Sequence, residues 1–408
     1  MSGPAPDTVA ETVATVDGVR PRATDAALLL ALALVAMNLR TGFTSVSAVL
    51  EELRADLGLS YAATGLLTVL PTLCMGAVAL VGAWLARIAG PERGIGAALL
   101  LIAAGSALRF DGRWLAALFG GTLLLGLGLA TAQVLVPTLA KYRVPHRIPL
   151  AMGLFTAAMN LGALLAGVLT APLARLLDSW ALALAAWSLP ALLAWWVWRR
   201  VVAQTRTDWR GEILRVSLPW RSAPGWRITG LLGLSTAVYV SLLAWLAPLY
   251  QAQGWSATRA GTVVGVFTLG QIAGALLAPV LAGHHDDRRP GLTAALLVMI
   301  GALLGLSLAP TLAPWLWACA AGVAMGGSFP LLLALPLDYA RGPEGAARLT
   351  AMAFGIGVIL AAPAPYLVGT LRDLSGDYRL PYLALTALVT VNLALIARCG
   401  PPKGDERL

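Results

Sequence analysis

Any chemistry in this chain has to be built around Arg40. It sits about halfway along an apolar run from Ala26 to Leu50, AALLLALALVAMNLRTGFTSVSAVL. At about 1.5 Å per residue, a helix of that length crosses the hydrocarbon core of a bilayer. A guanidinium near the bilayer centre costs about 2.5 to 3.5 kcal/mol on insertion scales, so it is kept where it faces a protein-lined cavity or a partner. Arginine does not deprotonate, and something must answer its charge. Two answers are open from the position alone: a transported anion, or the carbonyl oxygens of a neighbouring helix. The other ionisable residues do not supply one. All 20 Asp and Glu fall in tails, loops or helix ends, and His146, His284 and His285 fall in loops. The chain contains no metal-ligand cluster, nucleophile and base pair or nucleotide-binding loop, which argues against an enzyme and against a cofactor.

Other polar side chains lie inside apolar runs. On a continuous helix Thr44, four residues after Arg40, shares its face, while Asn38 is turned about 200° away and reads as a tie between helices, with a ligand contact as the alternative. Gln133 and Asn160 are amides in otherwise apolar segments, where an amide is either a binding group or a hydrogen-bonding tie between helices. Tyr239 offers a hydroxyl at membrane depth. Phe267 and Gln271 are four apart on one helical face and can supply a stacking wall and a donor. Trp245, near the end of its run, reads as a Trp of the membrane interface. The candidate binding set is therefore Arg40, Thr44, Gln133, Asn160, Tyr239, Phe267 and Gln271.

The elements that position these residues follow from composition. With 58% hydrophobic and 12% charged residues, and a mean hydropathy of +0.78, the chain reads as a polytopic membrane protein. Apolar runs and their breaks predict spans near 26–50, 60–87, 95–109, 114–140, 149–175, 180–198, 228–250, 257–282, 291–309, 315–337, 347–371 and 379–398. Ser60 is placed to cap the second. If both termini are cytoplasmic, 21 of the 29 Lys and Arg lie inside and seven outside, Arg109 among the latter, with Arg40 alone in the membrane. That bias supports the orientation, and it explains the net charge of +9 through membrane sidedness and lipid headgroups rather than nucleic acid. Cys74, Cys319 and Cys399 read as three structural thiols.

The chain also repeats. GLSYAATG at 58–65 and GWSATRAG at 254–261 share Gly, Ser and Gly at an offset of 196, and the same offset relates Arg93 to Arg289. The resulting organisation is a disordered cytoplasmic tail at 1–24, a six-helix half at 25–198, an Arg-rich cytoplasmic linker at 199–227, a second six-helix half at 228–398 and a cytoplasmic tail at 399–408. The fold class is an all-α membrane protein of twelve transmembrane helices in two pseudo-symmetric halves.

Twelve spans in two parallel halves, with a basic loop after the second span of each, resemble the major facilitator superfamily. Gly82 and Arg87 keep part of its loop motif, although Ala86 stands at the usual Asp position. Asn38-Leu39-Arg40, Val134-Leu135-Val136-Pro137 followed by Lys141-Tyr142-Arg143, and Thr156-Ala157-Ala158-Met159-Asn160-Leu161-Gly162-Ala163 resemble the cyanate permease and 2-nitroimidazole exporter family. Tyr239, Trp245 and Arg348-Leu349-Thr350-Ala351-Met352 extend the likeness. The resemblance implies a secondary transporter working by alternating access, with the first, fourth, seventh and tenth spans around a central cavity. The expected partners are a small anion and membrane lipid, the expected location the inner membrane, and the expected state a monomer. Export of nitroheterocycles or other hydrophobic drugs is the alternative.

Overall fold

The computed structural model describes residues 23–112, 114–203, 218–282, 288–340 and 342–398. The expected tail up to residue 22, the middle of the expected linker, the tail from residue 399 with Cys399, His284, His285 and the side chain of His146 lie outside the described residues.

The first half contains α1 (Ala23–Met37), α2 (Thr41–Ala48), α3 (Leu50–Leu57), α4 (Tyr61–Ala89), α5 (Pro91–Ala107), α6 (Leu115–Arg143), α7 (Ile148–Leu176), α8 (Trp180–Ala186) and α9 (Ser188–Ala203). The second contains α10 (Ala223–Ala252), α11 (Ala257–Ala282), α12 (Arg289–Leu308), α13 (Pro314–Tyr339), α14 (Gly342–Ala361), α15 (Ala364–Ser375) and α16 (Arg379–Ala397). Among the described residues, eleven spans are long and apolar enough to cross a membrane, and the short apolar helix Ala26–Met37 precedes them, forming the first crossing together with α2. Helix α9 runs to Ala203 and α10 starts at Ala223, so both ends of the 199–227 segment are helical.

Helix starts follow local chemistry. Ser60 Oγ accepts from the Ala63 N–H at 3.1 Å, Ser179 Oγ from Leu182 at 3.2 Å and Ser222 Oγ from Gly225 at 2.9 Å. Each satisfies a donor that the first turn of a helix cannot pair internally.

The expected continuous first helix is not what forms. It breaks at Asn38-Leu39-Arg40, between α1 and α2. Side chains take over backbone carbonyls there: Asn38 Nδ2 donates to Leu34 O at 2.8 Å, and Thr41 Oγ1 donates to Asn38 O at 3.0 Å. The Asn38 and Leu39 N–H groups bond three residues back, to Val35 O and Ala36 O, which tightens the turn. Helix α7 packs against this break, and a methyl group added at Gly162 would run into the Met37 carbonyl. Irregular backbone at membrane depth is tolerated where protein covers it, and Gly162 is small enough to let that happen. The eleventh crossing also bends, between α14 and α15, where Pro363 has no N–H to continue the ladder.

The two halves keep the repeat in their ion pairs. Glu92 at the start of α5 pairs with Arg143 at the end of α6, and Arg288 just before α12 pairs with Asp338 near the end of α13 at 2.7 Å. Glu92 and Arg288 are related by the offset of 196 seen in the sequence, and their charges are reversed. Extensive packing between the halves runs through α2, α4 and α7 of the first against α10, α11, α14 and α15 of the second. Helices α6 and α13 make no comparable contact with each other. The molecule is thus closed at the end that carries Tyr61, Gln251 and Asp373.

Two expectations of exposure need correction. Arg109, expected in an outer loop, is 1% exposed in a tight turn at Leu108–Phe110, and its Nη2 donates to Thr122 Oγ1 at 3.0 Å. Trp245, expected at the lipid interface, is fully buried and its Nε1 donates to Pro365 O at 2.9 Å. In both cases packing between helices claims a residue that hydropathy places at a span's end.

Candidate functional site

The break in the first crossing sets the site. Arg40 occupies the N-cap position of α2, with φ −113° and ψ −10°. Its half-buried side chain leaves α2 toward α7 and α10. Nη1 donates to Asn160 Oδ1 on α7 at 2.6 Å. One face of the guanidinium lies 5.0 Å from the centre of the Tyr239 ring on α10. Three helices, two from one half and one from the other, therefore converge on one cation. Both contacts are with neutral groups: an amide oxygen and an aromatic face orient a guanidinium without cancelling its charge. Among the described residues no carboxylate pairs with Arg40; the ion pairs are Arg54 with Glu51, Arg143 with Glu92, and Arg288 with Asp338.

Tyr239 is half-buried beside Gln271 of α11. Its hydroxyl and Gln271 Oε1 are both buried without a completed hydrogen bond. The two side chains lie against each other on the α10 and α11 side of Arg40, so a hydroxyl and an amide stand beside the cation. Asn38 Oδ1 is a third unpaired atom near the break.

The structure thus brings together Arg40, Asn160, Tyr239 and Gln271. The other candidates sit differently. Thr44 is buried, and its hydroxyl donates to Arg40 O at 3.1 Å within the first turn of α2. Phe267 is fully buried in the core of the second half, where its carbonyl lies against Gly322 of α13. Gln133 is half-buried on α6 and takes no part in the Arg40 contacts. Glycines in apolar runs allow close helix approach, and Gly162 does so where α7 meets the break.

Among the described residues no group of three His, Cys, Asp or Glu can hold a metal ion. The arrangement is suited to binding: a cation held by two neutral supports, with the side chains of Tyr239 and Gln271 alongside.

Comparison with known proteins agrees in kind. The chain is 38% identical over 373 residues to the cyanate transport protein CynX of Escherichia coli strain K12, covering 90% of this chain and 96% of that protein. It is 33% identical over 380 residues to the 2-nitroimidazole transporter of the same strain, covering 91% and 94%. In fold it matches a bacterial homologue of the human lysosomal transporter Spinster, solved in an inward-facing and unoccupied conformation. The TM-score is 0.74 at 15% identity, covering 95% of this chain and 99% of that one. The sequence profile of the Major Facilitator Superfamily matches residues 30–362. Two near-full-length transporter relatives, twelve crossings in two halves and a cation at their junction lead to one assignment: this chain is a membrane transporter belonging to the Major Facilitator Superfamily.

Proposed function

We propose that the chain carries a small organic or inorganic anion across the cytoplasmic membrane by alternating access, with Arg40 as the residue that binds the anion's charge. The observation that carries this reading is the pairing of Arg40 with two neutral groups, Asn160 and Tyr239, and with no carboxylate among the described residues. A guanidinium presents a planar fork of donors suited to carboxylates and other small anions. Asn160 holds one edge of that fork, Tyr239 supports one face, and the ligand meets the remainder. The Tyr239 hydroxyl and Gln271 complete the ligand's polar contacts.

The Lys and Arg bias supports both termini on the cytoplasmic side. With that orientation the closed end is the outer one, and the site is open toward the cytoplasm. The protein acts as a monomer in this reading, each chain holding one complete site. An empty site leaves the Arg40 charge answered only by dipoles as the halves close, so the loaded carrier crosses over more readily than the empty one. Exchange of one anion for another therefore outruns net transport. In reconstituted vesicles, uptake of a labelled anion should be faster into vesicles preloaded with the same anion than into empty ones. Equal rates would remove the exchange mechanism.

Size limits the ligand. At about 1.5 kcal/mol per heavy atom, a triatomic anion gains at most about 4.5 kcal/mol, a dissociation constant of about half a millimolar. Tighter binding requires a larger anion, such as a short or aromatic carboxylate. The 33% identity to a 2-nitroimidazole transporter favours a second reading, export of nitroheterocycles. A nitro group presents two acceptor oxygens to the same guanidinium fork, so the two readings share Arg40 and part on the ligand's charge.

A further inference from the structure

The closed end of the molecule is held by groups from both halves. Asp373 of α15 reaches across the interface to the start of α4. One carboxylate oxygen accepts from the Tyr61 N–H at 3.0 Å and the other from the Ala62 N–H at 2.8 Å. These are first-turn donors that α4 cannot pair within itself. Ser60 supplies the rest of the cap, its hydroxyl accepting from Ala63 and its carbonyl from Thr64. The cap of a helix in the first half is thus finished by a carboxylate from the second, at the positive end of the helix dipole.

Cations and rings extend the same junction. The Tyr61 ring has Arg54 of its own half 4.3 Å from its centre and Arg372 of the other half at 4.8 Å. Arg372 also lies 4.9 Å from the Tyr378 ring, and Tyr61 sits 5.9 Å from Trp245. Arg54 is paired with Glu51 at 3.0 Å, and burial pushes the Tyr378 phenol up, keeping that ring neutral. Nearby, Ser47 donates to Ala244 O at 3.1 Å and Gln251 to Ala48 O at 3.2 Å, again between halves.

We infer that Asp373 is the latch of this gate: its two-pronged cap on α4 sets how often the halves part here and open the central site to that side. Opening must break both carboxylate bonds together and return two helix N–H groups to water. Because the Asp373 contacts are exposed, water can replace them, and the latch is weak enough to cycle. The Tyr61, Arg372 and Tyr378 column supplies the shape that re-seats it.

The test uses Ser47→Cys as a reporter. Ser47 is 1% exposed and faces Ala244 of the other half, so a thiol there becomes reachable when the gate opens. Labelling by a membrane-impermeant maleimide, added from the gate side to full-length protein in native membrane vesicles, is timed and corrected for the protein without the reporter. Removing a helix cap is worth about a 5-fold change in an equilibrium. Asp373→Ala should therefore speed labelling about 5-fold, with Asp373→Asn intermediate because one carbonyl acceptor remains. Asp377→Ala, which removes a cap confined to the second half, should leave the rate unchanged. A second reporter, Ser106→Cys, buried within the first half, should stay at background in every variant. Unchanged labelling at the Ser47 position in Asp373→Ala would overturn the latch. So would a parallel rise at the Ser106 position, which would mean general loosening. Neither outcome bears on the anion assignment, because no ligand is present.

Discussion

Asn160→Asp tests the electrostatic argument most sharply, because it changes one atom and places a carboxylate where an amide now meets the guanidinium. Asn160 Oδ1 lies 2.6 Å from Arg40 Nη1, and Asn160 is 5% exposed. In the wild type that contact is a hydrogen bond from a charged donor to a neutral acceptor, worth about 1.5 to 3 kcal/mol. In the variant, two unit charges about 4 Å apart attract by about 4 kcal/mol at an effective dielectric constant of about 20. The new carboxylate plays the part of the bound anion permanently. A transported anion must then approach a neutralised cation and a like charge. Losing about 3 kcal/mol of attraction weakens binding by about 100-fold, since every 1.4 kcal/mol is a factor of ten. The empty protein should melt at the same temperature or higher. Binding is read by the ligand-induced shift in melting temperature of the purified protein, titrated with the best anion from a panel. Wild-type affinity for the anion in Asn160→Asp would refute the reasoning, since Arg40 would then not be the group that answers the ligand's charge.

Three further outcomes follow from the same geometry. Tyr239→Phe removes a hydroxyl that lies beside Gln271, so the empty protein should lose at most about 1 kcal/mol while the ligand-induced shift shrinks; melting with and without ligand separates the two effects. Gly162→Ala drives a methyl into the Met37 carbonyl at the break and should destabilise by about 1 to 3 kcal/mol, whereas Gly153→Ala, with nothing within 4 Å, should be neutral; detergent melting compares them. Thr44→Val should cost stability, because the hydroxyl that closes the first turn of α2 is lost, but should leave the ratio of bound to free ligand little altered; titration of the variant checks this.

The crossings were legible in the sequence because a bilayer demands a length and a polarity that composition records directly. The span expected at 114–140 is α6 (Leu115–Arg143), that at 379–398 is α16 (Arg379–Ala397), and the Ser60 cap is where the sequence puts it. The break at Asn38-Leu39-Arg40 was not legible, since hydropathy averages over residues whose side chains compete locally for backbone carbonyls. At that break the Thr44 hydroxyl bonds Arg40 O within the first turn of α2, and Arg40 turns toward α7. Bringing Asn160 and Tyr239 to Arg40 depends on tertiary packing across 120 residues to the first and across the interface of the halves to the second. No local period reports such contacts. Arg109 and Trp245 show the same limit from the other side: a residue at a span's end reads as interfacial until a neighbouring helix covers it.

The central claim is that Arg40 binds a transported anion, and one comparison tests it directly: melting of detergent-purified wild type and Arg40→Ala, side by side, against small anions and neutral nitroheterocycles. The account predicts that at least one anion stabilises the wild type and that this stabilisation vanishes in Arg40→Ala. If neutral aromatics stabilise both proteins alike and no anion stabilises the wild type, Arg40 is a structural residue and the site belongs to an exporter of uncharged compounds.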